Sequence, residues 1–386
     1  MTNHHRESLT TYPKPGPTEE QEQVDEEMMS LQMQALRITN SLAFPMVFKA
    51  ALELGVLDTI VAVDDGVWLS TSEIAFSLPT KPTNPEAPML LDRMLRLLVS
   101  HSILKCRIVE PRENDRTGNT QRKQVYAAEP VHAFFVNRGV NSGSLMSQFM
   151  LLRSQVFFKT WTHLKDVILQ EEKDAFSSAH GMGLYEYIEI EEQFAAMFNQ
   201  AMSESSTMIM KKILDVYKGF KDVNTLVDIG GGLGTILNLV ISKYPQIKGI
   251  NFDLAAVLAT APFYPGVEHV SGDMFIDVPK GDAIFMRRIL RDWNDKDCVK
   301  ILKNCWKSLP EKGKVIIVDM VAPSEPKSDD IFSKIVFGTD MLMLTQCSGG
   351  KVRSFSQFEA LASASGFLKC EITALAYTYS VIEFNK

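Results

Sequence analysis

The sequence predicts an α/β protein: a mostly parallel sheet covered by helices, preceded by a helical unit that ends in a hairpin. Three observations carry this expectation. From Val223 onward, short apolar segments alternate with amphipathic ones, the pattern of a parallel sheet with helices on both faces. One of those segments runs straight into a cluster of glycines and then into a helical pattern. Before that, apolar residues recur mainly at helical spacing. A chain of 386 residues has room for two domains.

Residues 1–28 are polar, and acidic from Glu19 to Glu27. They are expected to form a disordered tail, and MTNHHRESLTTYPKPGP lacks the apolar core of a secretory signal. Met28–Leu36 and Leu42–Leu54 carry helical spacing, and Gly55 stops the second run. Ser70 followed by Glu73 has the spacing of a capping box. Pro82, Pro85 and Pro88 mark a loop, and Leu90–Val99 is amphipathic, with Arg93 and Arg96 on its polar side. Ile103–Val109 and Gln124–Ala128 read as strands joined by a turn over Pro111–Arg122. Helix, turn, helix and hairpin make a winged-helix order. Such a unit can bind DNA, but its reading helix lacks a basic face here, which favours packing or dimerisation.

In the second half, Val223–Ile229, Gly249–Asp253, Val267–Gly272, Ala283–Met286 and Val315–Val318 read as strands. Leu237–Lys243 and Cys298–Ser308 read as helices. The domain boundaries are expected at 29–150 and 151–386.

Composition excludes several classes. Hydrophobic residues at 45% and charged residues at 23% are a globular balance. A net charge of −7 offers no footprint for phosphate backbones. No apolar stretch is long enough to span a bilayer. Five scattered cysteines without CxxC spacing read as reduced cytosolic thiols, not as a disulfide or zinc framework.

The sharpest local signal is Leu226-Val227-Asp228-Ile229-Gly230-Gly231-Gly232-Leu233-Gly234. Glycines at a strand-to-helix turn let backbone approach a ligand closely. Asp253 closes the next strand about 20 residues later, where a carboxylate reaches ribose hydroxyls. Asp273, Met274 and Phe275 follow the third strand and offer a carboxylate beside an apolar pair, suited to adenine. Asp228 either caps the glycine loop or touches the cofactor.

VDIGGGLG, NFDL, GDMF and IFMRRILRDW together resemble the S-adenosylmethionine motifs of the plant small-molecule O-methyltransferases. HGMGLYEY, FNQAMSESS and GGKVRSFSQFEALA extend the resemblance over nearly the whole chain after the tail. It is nearest to the indolic branch, the indole glucosinolate methyltransferases and the related dithiocarbamate S-methyltransferases. The resemblance implies a Rossmann-like methyltransferase domain behind a winged-helix dimerisation domain, with S-adenosyl-L-methionine as cofactor. It implies cofactor contacts from Gly230, Asp253, Asp273, Met274 and Arg287, the last standing where the family usually has lysine. It also implies a homodimer in which a helix from Met28–Leu54 covers the partner's pocket.

By the same likeness, the acceptor pocket draws on Leu151, Leu152, Phe194, Phe198, Met202 and Met343. Phe194, Phe198 and Met202 step by four and share a helical face, which spacing alone reads as core. Ser205 stands where other members carry a histidine that bonds a substituted phenol. Thr339 and Cys347 are further candidates, Cys347 more readily as inert packing. His180 reads as structural, and no histidine falls near the site by motif.

The family's general base is a histidine in a pattern like ILHDW, held by two glutamates. Here the matching positions are Arg291, Asp319 and Val352. A guanidinium stays protonated and accepts no proton. Either catalysis is lost, or the acceptor arrives ionised and a fixed cation holds it. An indolic dithiocarbamate is such an acceptor; methylation of a hydroxyl or nitrogen and a non-catalytic binding role are the alternatives. The expected location is cytoplasmic.

Overall fold

The computed structural model describes residues 19–63, 66–110, 123–136, 143–170 and 174–386. The chain divides into two units, Met1–Ala127 and Ala128–Lys386. The division falls earlier than the boundary expected at residue 150. The segment before Leu151 packs on the long helix Glu192–Val216, with Ser144 N–H on the Glu204 carbonyl at 3.3 Å and Ser147 Oγ on the Glu204 carboxylate at 2.6 Å.

The first unit opens with the helix Glu19–Thr39. Residues 19–28, expected in the tail, are thus helical; the rest of that expected tail lies outside the described residues. Glu, Gln, Met, Leu and Ala dominate the segment, all good helix formers, with acids at its start and Arg37 in its last turn. Met29, Met33 and Leu36 lie along one face of this helix and are 62%, 60% and 53% exposed. The capping box forms: Ser70 Oγ accepts from Glu73 N–H, and the Glu73 carboxylate accepts from Ser70 N–H at 2.7 Å. Helix Ala87–Ser100 buries Leu91, Leu95 and Leu98. Strands β1 (Leu69–Ser70), β2 (Leu104–Val109) and β3 (Lys123–Ala128) form a small sheet in the order β1-β3-β2. The turn expected at 111–122 lies outside the described residues.

The second unit is built on seven strands. In chain order they are β4 (Thr225–Ile229), β5 (Lys248–Asp253), β6 (Val267–Ser271), β7 (Ala283–Arg287), β8 (Lys314–Asp319), β9 (Lys369–Ala376) and β10 (Tyr379–Asn385). Their order in the sheet is β6-β5-β4-β7-β8-β10-β9, parallel through β8 and antiparallel for β10 and β9. The near-continuous apolar runs follow from burial on both faces. Leu226, Phe285, Ile316 and Val318 pack to one side with Ile213 and Val240. Val227, Ile229, Ile284, Met286, Val315 and Ile317 pack to the other with Ile301 and Leu361. The hairpin β9–β10 was not anticipated; it brings Tyr379 beside the end of β7.

This is the expected α/β architecture, a mostly parallel sheet, following in the chain a helical, winged-helix-ordered unit. Among the described residues no helix is long and apolar enough to cross a membrane.

Candidate active site

The carboxyl ends of the parallel strands face a cavity of about 420 Å³, the place where open α/β sheets bind ligands. Its floor is the turn after β4. Gly230 (φ +64°) and Gly232 (φ +58°) adopt left-handed backbone that favours glycine. A Cβ at Gly231 would lie 2.0 Å from Asn251 Oδ1. Asp253 fixes the loop, taking Gly232 N–H at 2.8 Å and Leu254 N–H at 2.7 Å. Asn251 ties it from below, donating to the Gly232 carbonyl at 2.9 Å and meeting His269 Nδ1 at 3.0 Å. His269 thus supports the glycine loop, although no motif placed a histidine near the site.

Gly230, Asp253, Asp273, Met274 and Arg287 all line this cavity. Asp228 lies behind the loop, its Oδ2 buried without a hydrogen-bond partner among the described residues. Burial, and then Asp253, holds the Asp228 carboxyl well above its ordinary value; burial also raises that of Asp253 against two backbone hydrogen bonds. The walls fit an adenosine-type cofactor on three counts. The glycine turn admits close approach, Asp253 presents a carboxylate, and the buried Arg287 Nε and Nη2 have no hydrogen-bond partner among the described residues.

The base position is filled differently. Arg291 and Asp319 are both buried, at 6% and 1% exposure. Arg291 donates to Asp319 Oδ1 from Nε at 2.9 Å and from Nη2 at 2.6 Å. The same oxygen accepts Met320 N–H at 2.8 Å. Burial would lower the Arg291 pKa; Asp319, with Tyr379 and Asp292, together outweigh it, and the guanidinium lies above its ordinary value. Arg291, Asp319 and Val352 are not among the residues lining the cavity. Val352 is buried, its N–H on Asp340 Oδ1 at 2.7 Å.

The loop carrying Arg291 is held by Arg353, which the sequence reading missed. That side chain is 1% exposed; it binds the carbonyls of Leu290 and Trp293 and the Asp295 carboxylate. The loop in turn presents Asp292 and Trp293 to the cavity. Asp292 Oδ2 accepts the Tyr185 hydroxyl at 2.5 Å, and Tyr185 stacks on Trp293. Burial pushes the Asp292 carboxyl up to about 6, against the Tyr185 hydrogen bond.

The residues assigned to the acceptor divide into two groups. Phe198 and Met202 line the cavity. Leu151, Leu152, Phe194 and Cys347 belong to an apolar cluster on which Phe198 and Met202 rest. Met343 lies in the core on one face of the sheet. Ser205 is fully buried and donates to the Ala201 carbonyl at 2.7 Å. Thr339 bonds its own helix at Ile335 O and does not line the cavity. His180 bonds Thr160 Oγ1 and the Val156 carbonyl, each at 3.2 Å, and packs on Phe176. Burial pushes the Cys347 thiol well up, which leaves it unreactive.

A glycine-floored crevice at the ends of a parallel sheet, with a carboxylate at the second strand, defines a nucleoside-cofactor enzyme of the methyltransferase type. Comparison with known proteins specifies it. Residues 161–368 match the O-methyltransferase domain and residues 36–138 the O-methyltransferase dimerisation domain. Indole glucosinolate O-methyltransferase 4 of Arabidopsis thaliana is 55% identical over 360 residues, 92% of this chain and 94% of that protein. Caffeic acid 3-O-methyltransferase 1 of Populus tremuloides is 44% identical over 352 residues, 91% and 93%. Human N-acetylserotonin methyltransferase, solved with SAM, shares the fold at a TM-score of 0.75 and 21% identity, covering 92% of this chain and 97% of that one. The chain belongs to the plant O-methyltransferase family and is an S-adenosylmethionine-dependent methyltransferase.

Proposed function

We propose that this methyltransferase acts on a small indolic acceptor that arrives as an anion, with the sulfur of a dithiocarbamate as the methyl-accepting atom. The observation that carries the reading is Arg291 bound to Asp319 where a base would stand, with apolar Val352 at the position that matches the second supporting glutamate. No proton acceptor remains in that seat. S-adenosylmethionine, when bound, supplies a methyl group on a sulfonium. The residues proposed to hold it are Gly230, Asp253, Asp273, Met274 and Arg287. Phe198 and Met202 supply apolar walls for a flat ring. Holding the acceptor in line with the methyl carbon contributes much of the rate, and a thiolate-like sulfur needs no deprotonation.

A second reading has one observation in its favour. Asp292 lines the cavity with its carboxyl pushed up to about 6, so it is a candidate base for an indolic or phenolic hydroxyl. The indole glucosinolate and caffeic acid O-methyltransferases named above belong to that chemistry. Incubation with labelled cofactor and two matched indoles, one bearing a dithiocarbamate and one a hydroxyl, separates the readings. Label on sulfur supports the first. Label on the hydroxyl alone replaces it with the second.

The exposed stripe of Met29, Met33 and Leu36 and the dimerisation match over 36–138 support a homodimer. Five free cysteines are in keeping with a reducing, cytoplasmic setting.

A further inference from the structure

We propose that Arg288, held in place by Tyr379, is the group that grips the acceptor's anionic end. The inference deepens the function proposed above and rests on it.

Arg288 follows β7 directly and has φ +59°, left-handed backbone that side chains seldom adopt without a functional reason. The left-handed residue breaks the strand's alternation, and two consecutive arginines reach one cavity. Their guanidinium carbons lie 5.4 Å (Arg287) and 5.5 Å (Arg288) from the centre of the Tyr379 ring. The Tyr379 hydroxyl accepts Arg288 Nε at 3.0 Å and Nη2 at 2.7 Å, which fixes the plane of the guanidinium. The remaining nitrogen, Nη1, meets Met202 Sδ at 3.6 Å and Ser205 Oγ at 3.4 Å among the described residues. Gln148 Oε1 lies 3.5 Å from Nη2. These partners are neutral, and no carboxylate pairs with Arg288 among the described residues.

Three guanidinium groups therefore meet here, and among the described residues the ion pair they make is that of Arg291 with Asp319. Burial alone would raise the Tyr379 phenol; Arg288, Arg291 and Arg287 outweigh it and hold the phenol below its ordinary value. Arg287 and Arg288 both reach the cavity wall; with Arg287 proposed for the cofactor, Arg288, beside Met202, is the cation left for the acceptor.

A planar guanidinium suits a planar two-atom anion such as a dithiocarbamate. One sulfur held at Nη1 leaves the other free to attack. A bond forms between that sulfur and the methyl carbon. The methyl–sulfonium bond breaks, and its electron pair stays on the sulfur of the departing S-adenosylhomocysteine. No proton moves, the ester formed is neutral, and Arg288 loses its hold on it.

The test is acceptor kinetics with an indolic dithiocarbamate on the full chain, comparing wild type with Arg288→Met, Arg288→Lys and Tyr379→Phe. Cofactor affinity by calorimetry and a thermal melt accompany each variant. Arg288→Met is expected to raise the acceptor KM about 10-fold or more with cofactor affinity unchanged, since a desolvated charge partner is lost. Arg288→Lys recovers part of that loss, and Tyr379→Phe raises KM a few-fold with little change in kcat. A folded, cofactor-binding Arg288→Met with the wild-type KM overturns the proposal. If that variant does not fold, wild-type KM in both Arg288→Lys and Tyr379→Phe overturns it equally. Should the wild type methylate only hydroxyls, the acceptor reading fails, and calorimetry with indole-3-acetate then tests Arg288 itself. Binding lost in Arg288→Met and partly kept in Arg288→Lys supports the grip; binding unchanged or absent throughout overturns it.

Discussion

Arg291 and Asp319 close on each other: one carboxylate oxygen takes both guanidinium nitrogens, at 2.9 and 2.6 Å, in a site almost sealed from water. A cation and an anion that neutralise one another leave neither free for the acceptor. The pair is the frame of the site, and positive charge toward the cavity comes from its neighbours at 287 and 288.

Breaking the pair from one side strands a buried charge. Arg291→Ala is expected to destabilise the fold by about 3–5 kcal/mol, because Asp319 loses its counterion in a buried setting. The double variant Arg291→Ala, Asp319→Ala is expected to lose clearly less than the sum of the single variants. Chemical denaturation of the four proteins gives the coupling. Additive losses would mean that the two side chains act separately.

The glycine loop should discriminate by position. Gly231→Ala places a Cβ 2.0 Å from Asn251 Oδ1 and 2.9 Å from the Asp228 carboxyl, so the turn must shift. Cofactor affinity, read by calorimetry, is expected to fall ~10-fold or more, about 1.4 kcal/mol. Gly232→Ala meets no atom within 4 Å and suffers only from its φ of +58°, a penalty of roughly 1–2 kcal/mol. That cost should appear mainly in stability.

Asp292 links stability to pH. Its carboxyl, raised to about 6 from 3.8, favours the protonated folded state. The stabilising effect is complete below the unfolded value and is lost as pH rises through about 6. Asp292→Asn removes that ionisation and keeps an oxygen for Tyr185. The variant's melting temperature relative to wild type is expected to climb between about pH 4 and pH 7. A constant difference across that range would contradict the assignment.

The parallel strands were legible because each is a short apolar run bounded by turns, and burial on both faces makes such runs conspicuous. The glycine loop and Asp253 were legible for a related reason: close backbone approach demands glycine, and spacing fixes the carboxylate. Three features were hidden. Residues 19–28 look like a tail by charge, yet their Glu, Gln and Met content favours helix. Strand β10 carries the run Val381, Ile382, Glu383, Phe384, in which buried Glu383 pairs with Lys314 and Tyr217; a charge inside a short run obscures its period. The grouping of Arg288, Tyr379 and Ser205 joins residues 83 and 91 positions apart, and no local pattern encodes it. Arg291 was legible as a departure from a histidine base and Asp319 as a carboxylate it could fold onto; which way the guanidinium turns is decided only by the packed site, where it closes on Asp319.

The most direct measurement of the central claim is the pH dependence of kcat/KM for an indolic dithiocarbamate. An acceptor that brings its own charge needs no base, so the profile is expected to be flat from about pH 6 to about pH 9. A profile that rises through an ionisation near 6, in a protein that also methylates the matched hydroxyindole, would instead assign the chemistry to a proton-accepting Asp292.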